Sequence, residues 1–386
     1  MASGFLYLAI AATIAATAAL VELALGNRRI RELRALPPGP RANWPKLSVI
    51  VAARDEERHI EEALASLLAL DYDDLEIVAI DDRSTDATGA VLDRLATCAP
   101  RLRVLHVHEL PSGWLGKNHA LARGAELATG ELLLFVDADV VLEKSAARRA
   151  VHALIESKLD HLTASPHLRV PHAAGGLSLA ITTFTVFFGL FIRPWNATKP
   201  GPRGAVGIGA FNLLRAATYR AIGTHRAIAL RPDDDIKLGK LVKLHGGRQE
   251  LVFGLELVHV EWYATLRQMV RGLEKNMFAG VEYRLSAVIA STALIGAGIC
   301  WPYVGVFTTT GATQWLSMAT SLLWTTIALG AARKLRQPTY LALGFPLGVL
   351  IFLYMFWRST ILALARGGII WRGTLYPLAQ LRRNRI

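Results

Sequence analysis

The stretch ELLLFVDADV (131–140) runs five apolar residues, Leu132 to Val136, straight into Asp137 and Asp139. A short continuous apolar run that follows Gly130 predicts a strand buried on both faces. Side-chain direction repeats every two residues along an extended segment, so Asp137 and Asp139 are expected to point the same way, with small Ala138 facing elsewhere. Two carboxylates at a strand tip suit a hard divalent cation, Mg²⁺ or Mn²⁺, which keeps some waters and takes further ligands from substrate phosphates. They equally suit a strand end meeting solvent, so the pair alone decides nothing.

Working outward, LSVIVAARDEE (47–57), LEIVAIDDRSTDAT (75–88) and LRVLHV (102–107) repeat the pattern of a buried strand. Between them lie helical patterns, with Ile60, Ala63, Leu64, Leu67 and Leu68 at helical spacing and NHALARGAELATG (118–130) stopped by Gly130. Apolar strands alternating with helices predict an α/β domain whose mostly parallel sheet is covered on both faces. Ligands of such sheets bind beyond the carboxyl ends of the strands. Asp55, Asp81, Asp82, Asp137 and Asp139 all fall there. No G-x-G-x-x-G or G-x-x-x-x-G-K-[ST] is present, which leaves the dinucleotide and P-loop cradles without support.

The 386-residue chain carries a formal charge of +12 but only 19% charged residues. With a mean hydropathy of +0.33, this balance points to a membrane protein with basic flanks and away from a soluble nucleic-acid binder. FLYLAIAATIAATAALV (5–21) is about one membrane thickness of apolar sequence, followed by Arg28, Arg29 and Arg31. A cleaved signal peptide carries its charge before the apolar region. Residues 1–26 are therefore expected to be an uncleaved anchor with its amino end outside, and 27–46 a basic linker closing in PGPRANWPK (38–46). Residues 47–284 read as the cytosolic catalytic domain, 285–365 as carboxy-terminal membrane helices and 366–386 as a basic tail.

Two features complicate this layout. The run 173–192 has no charge, but a single crossing there would separate the first acids from RPDDDIKLGK (231–240), so 173–195 is expected to lie at the interface. Three apolar runs follow at 285–307, 315–332 and 340–357, with RKLRQP (333–338) inside by the positive-inside rule. Three simple spans leave the tail outside, although Arg366, Arg372, Arg382, Arg383 and Arg385 place it inside. Either one run is a re-entrant or doubled segment, with Pro302 and Pro346 as its breakers, or the tail lies outside; the arginines favour the first. Cys98 and Cys300 lie far apart and give neither a metal spacing nor a disulfide framework.

Further polar stations join the strand tips. Lys117 stands just before a helical pattern, placed to meet a phosphate. Asp233, Asp234 and Asp235 open another helix, where acids serve as caps and dipole partners. One or two of them are expected to be structural and one to serve as a base. Gln268 and Arg271, at i and i+3, share a helical face suited to a pyrophosphate or to lipid headgroups.

In this order VAARDEE, DDRSTD, GWLGKNHALARG, FVDADV, PDDDIKLG and QMVRG resemble family 2 glycosyltransferases of GT-A fold over about residues 47–280. The likeness is strongest to the membrane branch acting on lipids, the ceramide glucosyltransferases and the hopanoid- or carotenoid-associated enzymes. RGGIIWRGTLYPL (366–378) is similar to a tail motif of that branch.

The resemblance implies a site. Ala53, Asp55 and Glu57 match the first nucleotide-contacting loop, and Asp81 or Asp82 the acid near uracil and ribose. Asp137 and Asp139 match the metal-binding aspartates. Asp235 matches the catalytic base, with Asp234 beside it, and Gln268 and Arg271 match the start of Q-x-x-R-W. Gly272 stands where that motif has Trp, which argues against processive synthesis. The implied activity is inverting transfer of one sugar from a UDP-sugar, such as UDP-glucose, to a lipid hydroxyl, using Mg²⁺ or Mn²⁺. Phe188, Phe191 and Trp195 are expected to line the acceptor's entry. The implied location is the bacterial inner membrane, with membrane lipids as surroundings and neither nucleic acid nor an obligate protein partner. A processive polysaccharide synthase and a non-catalytic membrane-tethered module are the alternatives.

Overall fold

The computed structural model of the chain describes residues 2–39, 44–170 and 175–386; residues 40–43 of the expected linker and 173–174 of the uncharged run lie outside them. Its strands are β1 (Leu47–Ala53), β2 (Leu75–Asp82), β3 (Leu102–Val107), β4 (Leu132–Asp137), β5 (Val140–Leu142), β6 (His161–Ser165), β7 (His167–Leu168), β8 (Asn212–Arg215), β9 (Gln249–Phe253), β10 (Val258–Val260), β11 (Gly368–Trp371) and β12 (Thr374–Pro377). Its helices are α1 (Ala2–Arg28), α2 (Ile60–Leu68), α3 (Thr88–Cys98), α4 (Gly116–Leu127), α5 (Ala146–Glu156), α6 (Gly175–Ile192), α7 (Ala216–Ala221), α8 (Asp234–Leu244), α9 (Leu266–Gly272), α10 (Leu285–Ile295), α11 (Trp301–Thr308), α12 (Gly311–Lys334), α13 (Phe345–Ala365) and α14 (Leu378–Arg383).

Among the described residues a seven-stranded sheet runs in the order β3-β2-β1-β4-β8-β6-β9. Its pairings are parallel except those of β8 with β4 and β6. The continuous apolar runs have a direct cause. Leu132, Leu134 and Val136 of β4 enter one hydrophobic core, while Leu133 and Phe135 enter a second on the other face. β1 and β2 divide the same way, with Val49, Val51, Ile77 and Ala79 on one side and Ile50, Val78 and Ile80 on the other. Helices α2 and α5 cover the first face through Leu64, Leu67, Val151 and Leu154. Leu121 of α4 with Leu238 and Leu241 of α8 cover the second.

Strand register aligns the acidic ends. Ala53 pairs with Asp81, Ala52 with Asp137, and Asp81 with His106. Because β8 runs the opposite way and its Asn212 pairs with Phe135, the segment 206–211 arrives at the same edge. One local expectation is corrected here. β4 stops at Asp137, and Ala138 and Asp139 form the turn into β5. The two-residue period of an extended strand therefore does not govern Asp139.

The chain divides into two compact units. The first holds Ile30–Arg169, Pro194–Glu261 and Arg383–Ile386. The second holds Met1–Arg29, Val170–Arg193 and Trp262–Arg382, so α6 and the segment 262–284 group with the apolar helices. Five stretches, Gly4–Arg28, Gly175–Asn196, Leu285–Thr308, Gly311–Lys334 and Thr339–Ala365, are long and apolar enough to cross a membrane by length and composition. Pro302 follows a π-helical turn, Gly296–Cys300, inside the helical stretch Leu285–Thr308, and Pro346 lies in the first turn of α13.

Connectivity limits which of these stretches cross. β8 and β9 follow α6 in sequence yet share one sheet with β1–β4, which precede it. The chain thus leaves the first unit at Arg169 and re-enters it at Pro194. At the carboxy terminus, Leu230 donates its N–H to Asn384 Oδ1 at 3.1 Å and Lys240 donates to the Ile386 carbonyl at 2.5 Å. The chain that leaves the first unit after Glu261 has returned to it by Arg383.

Candidate active site

Helix α4 begins at the sheet edge, and its Lys117 ammonium lies 2.7 Å from Oδ1 of Asp137 and 3.5 Å from Oδ2 of Asp234. The next residue fixes that helix end. Asn118 is fully buried, and its amide donates to the carbonyls of Ile228 and Arg231 at 2.7 and 2.9 Å. The tip of β4 and the start of α8 are thereby drawn together across one lysine.

The three acids of α8 separate by role. Arg231 is 0% exposed and grips Asp233 with two bonds of 2.8 Å, which makes Asp233 a buried counter-ion. Asp234 faces Lys117. Asp235 accepts from the Gly209 N–H at 2.9 Å through Oδ2 and from the Ile236 N–H at 2.8 Å through Oδ1. Asp137 in turn donates its backbone N–H to the Gly209 carbonyl at 3.0 Å. Residues 206–211 thus lie between the two acidic stations, and they do so without side chains at the contacts. A Cβ on Gly207 would stand 1.9 Å from the Asp235 carbonyl oxygen, and one on Gly209 would stand 2.4 Å from Oδ2 of Asp137. Lys117, Asp137, Gly209, Asn212, Asp234 and Asp235 line a common cleft, with Phe135 and His225 at its floor.

Charge is the cleft's dominant property. Burial pushes the Asp139 carboxyl up to about 7, helped by the charges of Asp137 and Glu56. Burial likewise pushes Asp235 up to about 7, helped by Asp234 and opposed by Lys117. Burial alone would lower Lys117, but Asp137, Asp234 and Asp235 outweigh it and hold the ammonium raised. Asp137 thus acts on Asp139, Asp235 and Lys117, Glu56 acts on Asp139, and Asp234 acts on Asp235 and Lys117.

Among the described residues no group of three or more His, Cys, Asp or Glu is placed to hold a metal by itself. The chemistry nonetheless fits a divalent cation whose shell is completed by water and phosphate oxygens. Carboxyls that burial, helped by neighbouring carboxylates, raises to about 7 are groups whose protons a cation would release.

Other anticipated residues have partners within the protein. Asp55 accepts from the N–H and hydroxyl of Thr85 at 2.8 and 3.2 Å, and Glu57 accepts from the Ala87 N–H at 3.1 Å. These side chains knit the loop after β1 to the loop after β2, while Glu56, which the sequence reading did not single out, carries the charge that reaches Asp139. Ala53 is buried in β1. Asp82 is held by Arg83 at 2.8 and 3.0 Å, and Asp81 by His106 at 2.9 Å.

In the second unit, Gln268 closes a capping box. Its Oε1 accepts from the Thr265 N–H at 3.1 Å while its own N–H donates to Thr265 Oγ1 at 3.2 Å. Arg271 is exposed on the same helix. Gly272 lies under Tyr263, since a Cβ there would be 2.5 Å from that ring. Tyr263 packs on Trp262, Trp262 on Phe184, and Phe184 on Phe188. Phe191 is 67% exposed, but Trp195 is only 7% exposed and belongs to the first unit. A buried indole offers no entry surface, which corrects the expectation for Trp195.

Residues 48–170 match the family described as Glycosyl transferase family 2. The chain carries a family 2 glycosyltransferase domain. Its α/β architecture is the GT-A fold, flanked by long apolar helices, and the protein is an integral membrane enzyme of hexosyltransferase type. The chain is 23% identical over 356 residues to a 4,4'-diaponeurosporenoate glycosyltransferase of Staphylococcus aureus, covering 88% of this chain and 90% of that one. It is 36% identical over 110 residues to the beta-monoglucosyldiacylglycerol synthase of Synechocystis, covering 28% and 22% of the two chains. Among solved structures, the mannosyltransferase PcManGT from Pyrobaculum calidifontis, in complex with GDP-Man and Mn²⁺, superposes with a TM-score of 0.55 at 19% identity, covering 92% and 99%. The two relatives are named for a carotenoid acid and a diacylglycerol glycolipid, not for ceramide or hopanoid acceptors.

Proposed function

We propose that this glycosyltransferase moves a single sugar from a UDP-sugar to a lipid hydroxyl at the cytosolic membrane face, with inversion at the anomeric carbon. One observation carries the reading. Lys117 joins Asp137 at 2.7 Å to the start of α8, so a pole suited to a diphosphate and a carboxylate suited to a base share one cleft.

Asp235 takes the proton from the acceptor hydroxyl. Its carboxyl, pushed up to about 7, has a basicity matched to proton transfer near neutral pH. The freed oxygen attacks the anomeric carbon as the bond to the diphosphate breaks, and one displacement inverts the configuration. Lys117 meets the negative charge that develops on the leaving diphosphate. Asp139 and Asp137 hold Mg²⁺ or Mn²⁺, and a bound divalent cation supplies Lewis-acid neutralisation of that diphosphate. Asp81 and Asp82 bind the nucleoside end of the donor.

Membrane placement follows from connectivity. The helix α6 lies along the interface, because a single crossing would split the sheet containing β4 and β8 between two compartments. Between Glu261 and Arg383 the chain crosses an even number of times, so at most two of the three carboxy-terminal stretches span. On this reading the basic tail shares the side of the catalytic unit, a reading that its arginines support. Support for a lipid acceptor comes from the two relatives, one named for a carotenoid acid and the other for a diacylglycerol glycolipid. Bacterial inner membrane is the corresponding location. The packing of Tyr263 over Gly272 supports a single addition over processive synthesis.

The test is transfer by detergent-solubilised protein from a panel of nucleotide sugars to bacterial lipid extracts, with Mg²⁺, Mn²⁺ or chelator. Sugar transfer to a lipid from a UDP-sugar is expected. Transfer from GDP-mannose alone would reassign the donor, and donor-independent lipid binding without turnover would remove the enzymatic reading of this site.

A further inference from the structure

Four polar side chains lie fully buried beneath the cleft on three adjacent strands: His161 and Thr163 of β6, Asn212 of β8 and Gln249 of β9, none more than 2% exposed. His161 pairs in register with Gln249 and Thr163 with Asn212, so all four share the sheet face that α8 covers. Burying four polar groups costs free energy that an apolar quartet would not. Their bonds show what they hold.

Gln249 accepts from the Val206 N–H at 3.0 Å and donates to the Val206 carbonyl at 2.8 Å and to Gly239 of α8 at 3.2 Å. The Ile208 N–H is shared between Thr163 Oγ1 at 3.0 Å and Asn212 Oδ1 at 3.2 Å. Thr163 donates onward to the Phe211 carbonyl at 2.8 Å. His161 links the two amides, bonding Asn212 Oδ1 at 3.0 Å and the Gln249 amide at 2.6 Å. Neutral imidazole with its proton on Nε2 satisfies both bonds, in keeping with burial that lowers its pKa to about 4.

Residues 206–211 lie outside the strands, and these side chains, together with the backbone N–H groups of Asp137 and Ala164, hold the segment's polar groups. Its Gly209 then donates to Oδ2 of Asp235 at 2.9 Å and accepts from the backbone of Asp137 at 3.0 Å. We propose that Thr163, Gln249, Asn212 and His161 are positioning residues for the transfer reaction, holding the 206–211 segment so that the Gly209 N–H orients Asp235 and sets its spacing from Asp137. This rests on Asp235 being the base. His161, Thr163 and Gln249 are not among the residues that line the cleft. The network acts through one backbone N–H, so its loss misaims the base while leaving the donor's own contacts in place.

Thr163→Val keeps the shape of a β-branched residue and removes only the hydroxyl. Turnover should fall about tenfold to a hundredfold, the range for a misplaced reacting group, with donor affinity changed less than about twofold. Thr163→Ser should restore most of the loss, and Gln249→Met should reproduce it. Each variant is also made in an Asp235→Asn background, where slow residual transfer is followed. There Thr163→Val should add nothing further, because its only route to the chemistry has been removed. Unchanged turnover in both Thr163→Val and Gln249→Met overturns the proposal. So does an equal fractional loss with and without Asp235, or a loss carried by donor affinity. Full transfer by Asp235→Asn alone is a separate result, sinking the base assignment and this proposal with it.

Discussion

The Lys117 ammonium lies 2.7 Å from a carboxylate oxygen of Asp137, joining the first turn of α4 to the tip of β4. Its charge acts on both Asp139 and Asp235. Lys117→Met is therefore expected to lower kcat/KM by about a hundredfold, the scale for losing one preorganised electrostatic contact. It should also weaken UDP binding by calorimetry. A variant with unaltered UDP affinity would show that the lysine serves only the acids around it.

Two carboxyls raised to about 7 set a pH dependence. Asp139 and Asp235 bind protons more tightly folded than unfolded, so their contribution to stability is full below the ordinary carboxylate range and is lost as pH rises through about 7. Without divalent cation, the melting temperature should drop between pH 5.5 and pH 8. Mn²⁺ with UDP should reverse that drop at pH 8. Turnover has the opposite slope, falling as pH falls through about 7 while Asp235 becomes protonated. Thermal melts and rate profiles in matched buffers check both signs.

The acids of α8 are expected to fail differently. Asp233→Ala strands a fully buried Arg231, at a cost of about 3–5 kcal/mol. Poor expression or a large loss of melting temperature should follow. Asp235→Asn should fold normally and lose transfer. Chemical denaturation alongside activity separates the two outcomes.

A methyl group at Gly209 would meet the Asp137 carboxylate, 2.4 Å away. Overpacking of this kind costs about 1–3 kcal/mol. Gly209→Ala should also reduce donor affinity, because Asp137 must turn away. Gly113→Ala, at an open position, is not an adequate control, since Gly113 has φ +82°; Gly280→Ala, open and without positive φ, is.

Gly272→Trp is predicted to be destabilising, because the Tyr263 ring stands 2.5 Å from where its Cβ would go. Adding Tyr263→Ala should recover stability in a double-mutant cycle. Additive losses would mean that the ring does not exclude the indole.

Much of the catalytic unit was legible in the chain. Strands with two apolar faces, such as β4, require helices on both sides, and the acids that end β2 and β4 had to emerge at the carboxyl edge. Local chemistry could not rank Asp233, Asp234 and Asp235, because all three are good residues for a helix start. Gln268 was legible as part of a motif, but its side chain closes the cap of its own helix. A Thr three residues before a Gln is the capping-box signal that would have identified it.

The sequence by itself determined the alternation of buried strands and helices, the apolar stretches and the stations where acids stand, since these depend on periodicity and on residues near each other in the chain. Tertiary structure alone decided that Asp139 sits in a turn, that Glu56 charges the same cleft, that Arg231 claims Asp233, and that Gly209 binds Asp235. Those outcomes depend on which elements meet. Thr163, Asn212 and Gln249 are far apart in sequence, and only the register of β6, β8 and β9 brings them under one loop.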